Sequence, residues 1–182
     1  MQRSSTTRYT FADHQSIPED HRRHEIIDGE LFVSPTPRFN HQQVAGNLLV
    51  ILRRLSSQHD LGAVVGPMTV RLHDELVLEP DLVFIRKDRM HIADPEGAVH
   101  GPPDLVVEIL SPSTQKYDER VKRKHYLEHG VQEVWLIDVD ERSVEVWRPG
   151  AAAAERIGDT LTWTVAGEPL EIATAEVFEG TQ

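Results

Sequence analysis

The chain has 182 residues, of which 39% are hydrophobic and 27% charged, with a net charge of -11 and no cysteine. This composition is typical of a soluble globular protein with one core, and no apolar run approaches the ~20 residues that cross a bilayer. The acidic balance argues against a broad phosphate-binding surface. The lack of cysteine excludes disulfides and thiolate zinc sites, and with no apolar signal segment at its start the chain is expected to be cytoplasmic.

The first part of the chain predicts a tail followed by a β-hairpin. Residues 1–16 are polar and are expected to form a flexible tail, and residues 17–182 are expected to form a single domain. Residues 24–33 predict the hairpin, whose turn is Asp28-Gly29 because both positions tolerate a positive φ. A break at the prolines of Ser34–Pro37 ends this unit.

A long helix is predicted next. Asn40 is a suitable N-cap, and the helix is expected to run to about Gln58. Its apolar positions recur at helical spacing, which predicts one buried face and an outward-facing Arg53 and Arg54. That face comprises Val44, Leu48, Ile51, Leu52 and Leu55.

Several strands and one further helix follow. Strands are predicted over 64–72 and 76–85, and residues 86–101 predict a loop with one helical turn. The segment 104–138 predicts a strand, a turn at Ser111–Ser113, a basic helix and a second strand, joined as a right-handed parallel crossover. This order of elements predicts an α/β or α+β domain with one mixed sheet.

Two carboxylates lie inside apolar strands. Asp81 follows Pro80, and Glu108 lies within Val-Val-Glu-Ile-Leu. A carboxylate buried there costs several kcal/mol unless a cation, a metal or a proton compensates. Two acids on neighbouring strands are the ligands that Mg²⁺ or Mn²⁺ requires, and such an ion activates water and neutralises charge on a phosphodiester. The next helix adds Lys122 and Tyr126, which share one face.

The combined pattern resembles a known family. It consists of EPDLVFI, PPDLVVEILSPST and EVWLID, the spacing Asp118-x3-Lys122-x3-Tyr126, and the N-terminal HEIIDGELFVSPTP. These motifs are similar to those of the small bacterial proteins labelled Uma-two, in the restriction-endonuclease-like PD-(D/E)XK superfamily. The resemblance covers about residues 22–148. It implies a restriction-endonuclease-like core, with a central mixed β-sheet flanked by helices, and a Mg²⁺- or Mn²⁺-dependent endonuclease that hydrolyses phosphodiester bonds in DNA.

The resemblance also implies roles for individual residues. Asp81 matches the metal-binding aspartate of the superfamily, and Glu108 matches the acid of the (D/E)XK element, with the Ile109 carbonyl as a third ligand. Leu110 stands where that element places its lysine, so Lys122 on the following helix is expected to supply the positive charge. Tyr126 is the matching aromatic hydroxyl. Three further residues are candidate additions to the site: Glu30, His41 and Gln43.

Other interpretations of the same residues stay open. Asp81 could cap a turn, Tyr126 could only pack in the core, and Glu108 could form a structural ion pair with Lys122 without any metal. Lys116 or Lys124 could point inward in place of Lys122. The function could then be that of a catalytically degenerate nuclease-fold protein that binds nucleic acid or a protein partner, or of a purely structural protein.

An oligomeric state is also predicted. Residues 143–147 alternate as a strand, expected at a sheet edge or paired with its neighbour, and at an edge this strand would expose backbone donors and acceptors unless covered. This geometry, together with the habit of the family that the chain resembles, predicts a homodimer that covers this edge.

Overall fold

The computed structural model describes residues 8–110 and 118–182 of the protein. The predicted turn Ser111–Ser113 and the candidate Lys116 lie outside these residues. Within them, no helix has the length and apolar character that crossing a membrane requires.

The segment before the hairpin is ordered by local and long-range contacts. Helix α1 spans Phe11–Gln15, and the backbone N–H of Thr10 donates to the Asp13 carboxylate at 2.8 Å. The Phe11 N–H also donates to the Asp74 carbonyl at 2.7 Å, on the turn between two later strands. Residues 11–15 of the predicted tail thus form a capped helical turn with a tertiary hydrogen bond, and the boundary between tail and domain at residue 16 stays a prediction.

The predicted hairpin is confirmed. Strand β1 spans Arg23–Ile27 and pairs antiparallel with β2, Glu30–Ser34. Ile27 lies opposite Glu30, so the loop consists of two residues, Asp28 and Gly29. Their φ angles are 52° and 78°, which is the conformation that a two-residue hairpin turn requires.

The long helix is confirmed, with a different start. Helix α2 spans Phe39–Gln58, and Arg38 occupies the N-cap. Asn40, the predicted cap, lies inside the first turn, where its amide donates to the Gln182 carbonyl at 2.9 Å. The predicted apolar face is buried at Val44, Leu48, Ile51 and Leu52, whereas Leu55 is partly buried.

Two predicted strands each divide between two sheets. The first divides into β3, Gly62–Val65, and β4, Val70–His73; the second divides into β5, Leu76–Leu78, and β6, Leu82–Arg86. Prolines at 67 and 80 lack the N–H that a continuous ladder needs. The segments at the two breaks pack closely against each other, since a Cβ added at Gly66 would lie only 2.1 Å from the Asp81 carbonyl oxygen.

The expected single mixed sheet is therefore replaced by two large sheets and a hairpin. The five-stranded sheet has the order β2-β1-β5-β4-β7, where β7 is Val99–His100. The six-stranded sheet has the order β11-β10-β9-β8-β6-β3 and is mixed. Its remaining strands are β8, Leu105–Leu110; β9, Glu133–Asp138; β10, Ser143–Trp147; and β11, Glu155–Ile157.

Strands β8 and β9 pair in parallel, which confirms the parallel crossover. The helical part of this connection is a π-helical turn, Asp118–Lys122, followed by α3, Arg123–Glu128. The loop after β6 contains the predicted helical turn, a 3₁₀ helix over Lys87–Ile92. The chain ends with β12, Thr160–Val165, β13, Glu168–Ala173, and the short helix α4, Thr174–Val177.

The six-stranded sheet separates two hydrophobic clusters. On one face, Leu82, Phe84, Val107 and Ile109 pack with the apolar side chains of α2 and of β12–β13. On the other face, alternate residues pack with the five-stranded sheet and with Tyr126 of α3; these are Val83, Ile85, Val106 and Leu110. Glu108 lies between Val106 and Leu110 in alternation, so its side chain is on the second face.

The strand expected at a sheet edge or paired with its neighbour is an interior strand. β10 pairs with β9 on one side and with β11 on the other. Its backbone groups are therefore used within the chain, and the edge-strand argument for a homodimer does not apply to it.

Candidate active site

The two predicted acidic residues lie at the same end of the pairing between β6 and β8. Leu82 of β6 pairs with Val107 of β8, and the Asp81 N–H donates to the Val107 carbonyl at 3.1 Å. Asp81 directly precedes this ladder and Glu108 directly follows Val107, so the two acids lie at the same end of the β6–β8 pairing. Each residue is only 2% exposed.

The Asp81 carboxylate is surrounded by three donors. The guanidinium of Arg23 contacts Oδ1. Oδ2 accepts the Ile109 N–H at 2.7 Å and lies 3.3 Å from Nε2 of His41. Because a carboxylate only accepts, Nε2 of His41 carries the proton, and within the described residues Nδ1 of this ring has no partner.

These donors keep Asp81 ionised. Burial alone would raise the pKa of Asp81, but the hydrogen bond from His41, the charge of Arg23 and the Ile109 N–H together outweigh it and lower this pKa. The site therefore holds a negative charge at a buried position, which is the condition for binding a cation.

The Glu108 carboxylate faces α3. Tyr126 is fully buried and its hydroxyl donates to Oε1 of Glu108 at 2.7 Å. Nζ of Lys122 lies 3.6 Å from the same oxygen, although Lys122 is only 4% exposed. Lys122 thus lies beside Glu108, on whose strand Leu110 occupies the expected lysine position. Lys124, in contrast, is 66% exposed and points away from the site.

A third buried carboxylate joins the site from the hairpin. Oε2 of Glu25, on β1, lies 2.8 Å from Nζ of Lys122, and Oε1 accepts the Glu79 N–H at 2.9 Å. Glu25 is 2% exposed. We had not predicted it, although it carries the same signal as Glu108, namely an acid directly beside apolar strand residues.

Two predicted additions lie elsewhere. Glu30 is exposed at the far end of the hairpin, and Glu25 is the hairpin acid that reaches Lys122. The amide of Gln43 donates to Asn47, which in turn donates to carbonyls near the C-terminal end of the described chain. Gln43 therefore helps to hold that segment on α2. His41 does contact the site, through Asp81.

The residues of the site fit a hard divalent cation of the magnesium type. Within residues 8–110 and 118–182, no three His, Asp or Glu side chains form a ready-made metal cage. Mg²⁺ does not need such a cage, because it usually binds one or two carboxylates and keeps water and substrate phosphate as other ligands. Asp81 and Glu108 would supply the two carboxylates. The Ile109 N–H points to Asp81, and the carbonyl of a strand residue points to the same edge as its N–H.

A cavity opens beside this site. It has a volume of about 340 Å³ and lies at the N-terminal end of α2. Its lining includes the buried His41 and Leu110, and the exposed Arg38 and Phe39. The cavity thus connects solvent to the two residues that adjoin Asp81 and Ile109.

The described residues form a mixed α/β fold, and this fold is of the nuclease-like type. A crystal structure of a "putative nuclease belonging to DUF820" from Anabaena variabilis superposes with a TM-score of 0.79 at 22% sequence identity, over 93% of this chain and 97% of that one. The family model described as Uma2, "Putative restriction endonuclease", matches residues 11–175. The chain belongs to the Uma2 family. A comparison with curated proteins found no match.

Proposed function

We propose that the protein is a Mg²⁺- or Mn²⁺-dependent endonuclease that hydrolyses phosphodiester bonds in DNA. The family and the structural neighbour support nuclease function in general. The observation that carries the proposal is the pair of buried carboxylates, Asp81 and Glu108, at the same end of the β6–β8 pairing, with Lys122 beside Glu108.

Each residue has a role in this proposal. Asp81 and Glu108, with the Ile109 carbonyl, would hold the metal ion, which when bound activates water and neutralises phosphate charge. Lys122 offsets the extra negative charge of the transition state and orients the attacking water. Tyr126 fixes Glu108 through its hydroxyl, 2.7 Å from Oε1.

Glu25 acts through Lys122. Its Oε2 atom lies 2.8 Å from the ammonium and so restricts the position of a long, flexible side chain. Without this contact, Lys122 has fewer constraints, and a displacement of about 1 Å can reduce a rate by about 10². Glu25 is therefore a positioning residue in the proposal.

Plasmid cleavage tests the proposal. Supercoiled DNA is incubated with Mn²⁺ and with the wild type, Asp81→Asn or Glu108→Gln, and nicked and linear forms are quantified. We expect cleavage by the wild type and losses of about 10²-fold or more in both variants, since each removes a metal ligand. Glu30→Gln is the matched control, because Glu30 is an exposed acid. Equal nicking by the wild type and Asp81→Asn would refute the proposal.

A second candidate function is a degenerate nuclease fold that binds nucleic acid or a protein partner without cleavage. The specific observation in its favour is that Arg23 and Lys122 already provide positive charge to the three buried carboxylates. Calorimetric titration with Mg²⁺ and Mn²⁺ separates the two functions. DNA binding without metal binding would favour the degenerate fold.

The homodimer stays a prediction that rests on the family resemblance. Light scattering measures it directly. A dimeric mass at micromolar concentration is expected, and a monomeric mass would contradict it.

A further inference from the structure

Arg23 is the permanent cation next to the proposed metal ligands. It begins β1, and its side chain is 18% exposed while it contacts Oδ1 of Asp81. Burial alone would lower the pKa of Arg23, but the charges of Asp81, Glu108 and Glu25 raise it. The guanidinium contacts Asp81 and lies near enough to Glu108 and Glu25 for their charges to raise its pKa.

Arg23 contacts the oxygen of Asp81 that is available to bind a metal ion. A carboxylate oxygen accepts about two hydrogen bonds. Oδ2 of Asp81 already has the Ile109 N–H at 2.7 Å and His41 at 3.3 Å. Oδ1 is thus the oxygen with capacity for an ion, and the guanidinium is beside it. A divalent cation and a guanidinium on one oxygen repel each other strongly in a poorly solvated site.

We propose that Arg23 holds Asp81 in the metal-free protein, that a divalent ion displaces it, and that the displaced guanidinium then binds a phosphate of the nucleic acid. This inference rests on the proposed nuclease function. The planar fork of a guanidinium matches two phosphate oxygens. Arg23 is anchored on a strand, so a change of rotamer moves the charged group while the backbone stays fixed.

The first half of the proposal predicts that loss of the Arg23 side chain strengthens metal binding. Removal of Arg23 removes a competitor, so the metal should bind more tightly to the variant. Calorimetry of the full chain with Mn²⁺ is the measurement, on the wild type, Arg23→Gln and Arg22→Gln. We expect Arg23→Gln to bind Mn²⁺ about tenfold more tightly or better. Arg22 is the matched control, since it is exposed and pairs with Asp20 at 2.6 Å.

The second half predicts a metal-dependent DNA contact. DNA binding is measured by fluorescence anisotropy in EDTA and in Ca²⁺, a hard cation with similar ligands. The affinity of the wild type should rise in Ca²⁺ by more than that of Arg23→Gln. In EDTA the two proteins should bind DNA within about threefold of each other, because Arg23 is then held by Asp81. Arg23→Lys, which keeps the charge beside Asp81, should also lose most of the gain in Ca²⁺.

The outcomes separate this inference from the proposed function. Mn²⁺ binding that Asp81→Asn abolishes and Arg23→Gln leaves unchanged or weakens would refute the role of Arg23 alone. No Mn²⁺ binding by either the wild type or Arg23→Gln would refute the metal-dependent function as well. Mn²⁺ binding by Arg23→Gln but not by the wild type would support the displacement of Arg23 by the ion. It would also show that the wild type needs substrate to release Arg23 from Asp81. Thermal unfolding of each variant verifies that it is folded, and Arg23→Lys replaces Arg23→Gln if the latter is not.

Discussion

Replacing Lys122 by methionine tests the electrostatics of the site through stability. Lys122 is 4% exposed, with Nζ 2.8 Å from Glu25 and 3.6 Å from Glu108. Methionine keeps the length and the apolar packing of the side chain but removes the charge. Both carboxylates then remain buried without this cation.

The expected loss of stability follows from the burial of the ion pairs that Lys122 forms. Removing one partner of a buried ion pair typically costs about 3–5 kcal/mol, because it leaves an uncompensated charge. Lys124→Met is the control on the same helix: Lys124 is 66% exposed and its Nζ lies 3.7 Å from Glu128. An exposed pair of this kind contributes about 0–1 kcal/mol. Native proteins typically have a free energy of unfolding of about 5–15 kcal/mol. Lys122→Met should therefore still fold, but with a much lower urea midpoint.

Urea unfolding measures both variants. The fluorescence of the buried Trp135 and Trp163 reports on the core, and the slope of the transition verifies that the folded states are comparable. Adding Glu25→Gln to Lys122→Met should cost less than the sum of the single changes, because the two residues interact directly. A loss for Lys122→Met no larger than for Lys124→Met would refute the buried ion pair.

Three further predictions concern other contacts. Because the pKa of Asp81 is lowered from 3.8, its stabilising contribution is complete above that value and is lost as the pH falls through the lower folded value. The stability advantage of wild type over Asp81→Asn in urea should thus be constant above about pH 5 and shrink below it. Tyr126→Phe removes a hydrogen bond to the Glu108 carboxylate and should cost about 1.5–3 kcal/mol in the same assay. Arg38 is an exposed cation that lines the cavity beside the site. Arg38→Ala should therefore weaken DNA binding and reduce the slope of log affinity against log salt concentration by about one, measured by fluorescence anisotropy, with stability unchanged.

Local signals explain the parts of the fold that the sequence predicts. Asp28-Gly29 determines its hairpin because only a few residues tolerate a positive φ at both positions. The buried face of α2 and the β8–β9 crossover follow from periodicity within one segment. The division of β3 from β4 and of β5 from β6 depends on which distant strand each half joins. Prolines at 67 and 80 indicate a break but not the two destinations.

The same distinction applies to the candidate site. Asp81 and Glu108 are predictable because a carboxylate beside apolar strand residues is visible in one segment, and Lys122 is predicted through the family resemblance. The parts from β1 were missed. Arg23 and Glu25 reach the site only because β1 joins the five-stranded sheet next to β5. Glu25 shows the signal of an acid beside apolar strand residues, but the hairpin pattern does not show that it meets Lys122.

The measurement that tests the central claim most directly is a crystal structure of the protein with Mn²⁺, located by anomalous scattering. The account predicts one ion within about 2.0–2.3 Å of carboxylate oxygens of both Asp81 and Glu108, with Arg23 no longer in contact with Asp81. Crystals that show no ion at these two carboxylates at millimolar Mn²⁺, with Arg23 still paired to Asp81, would contradict it.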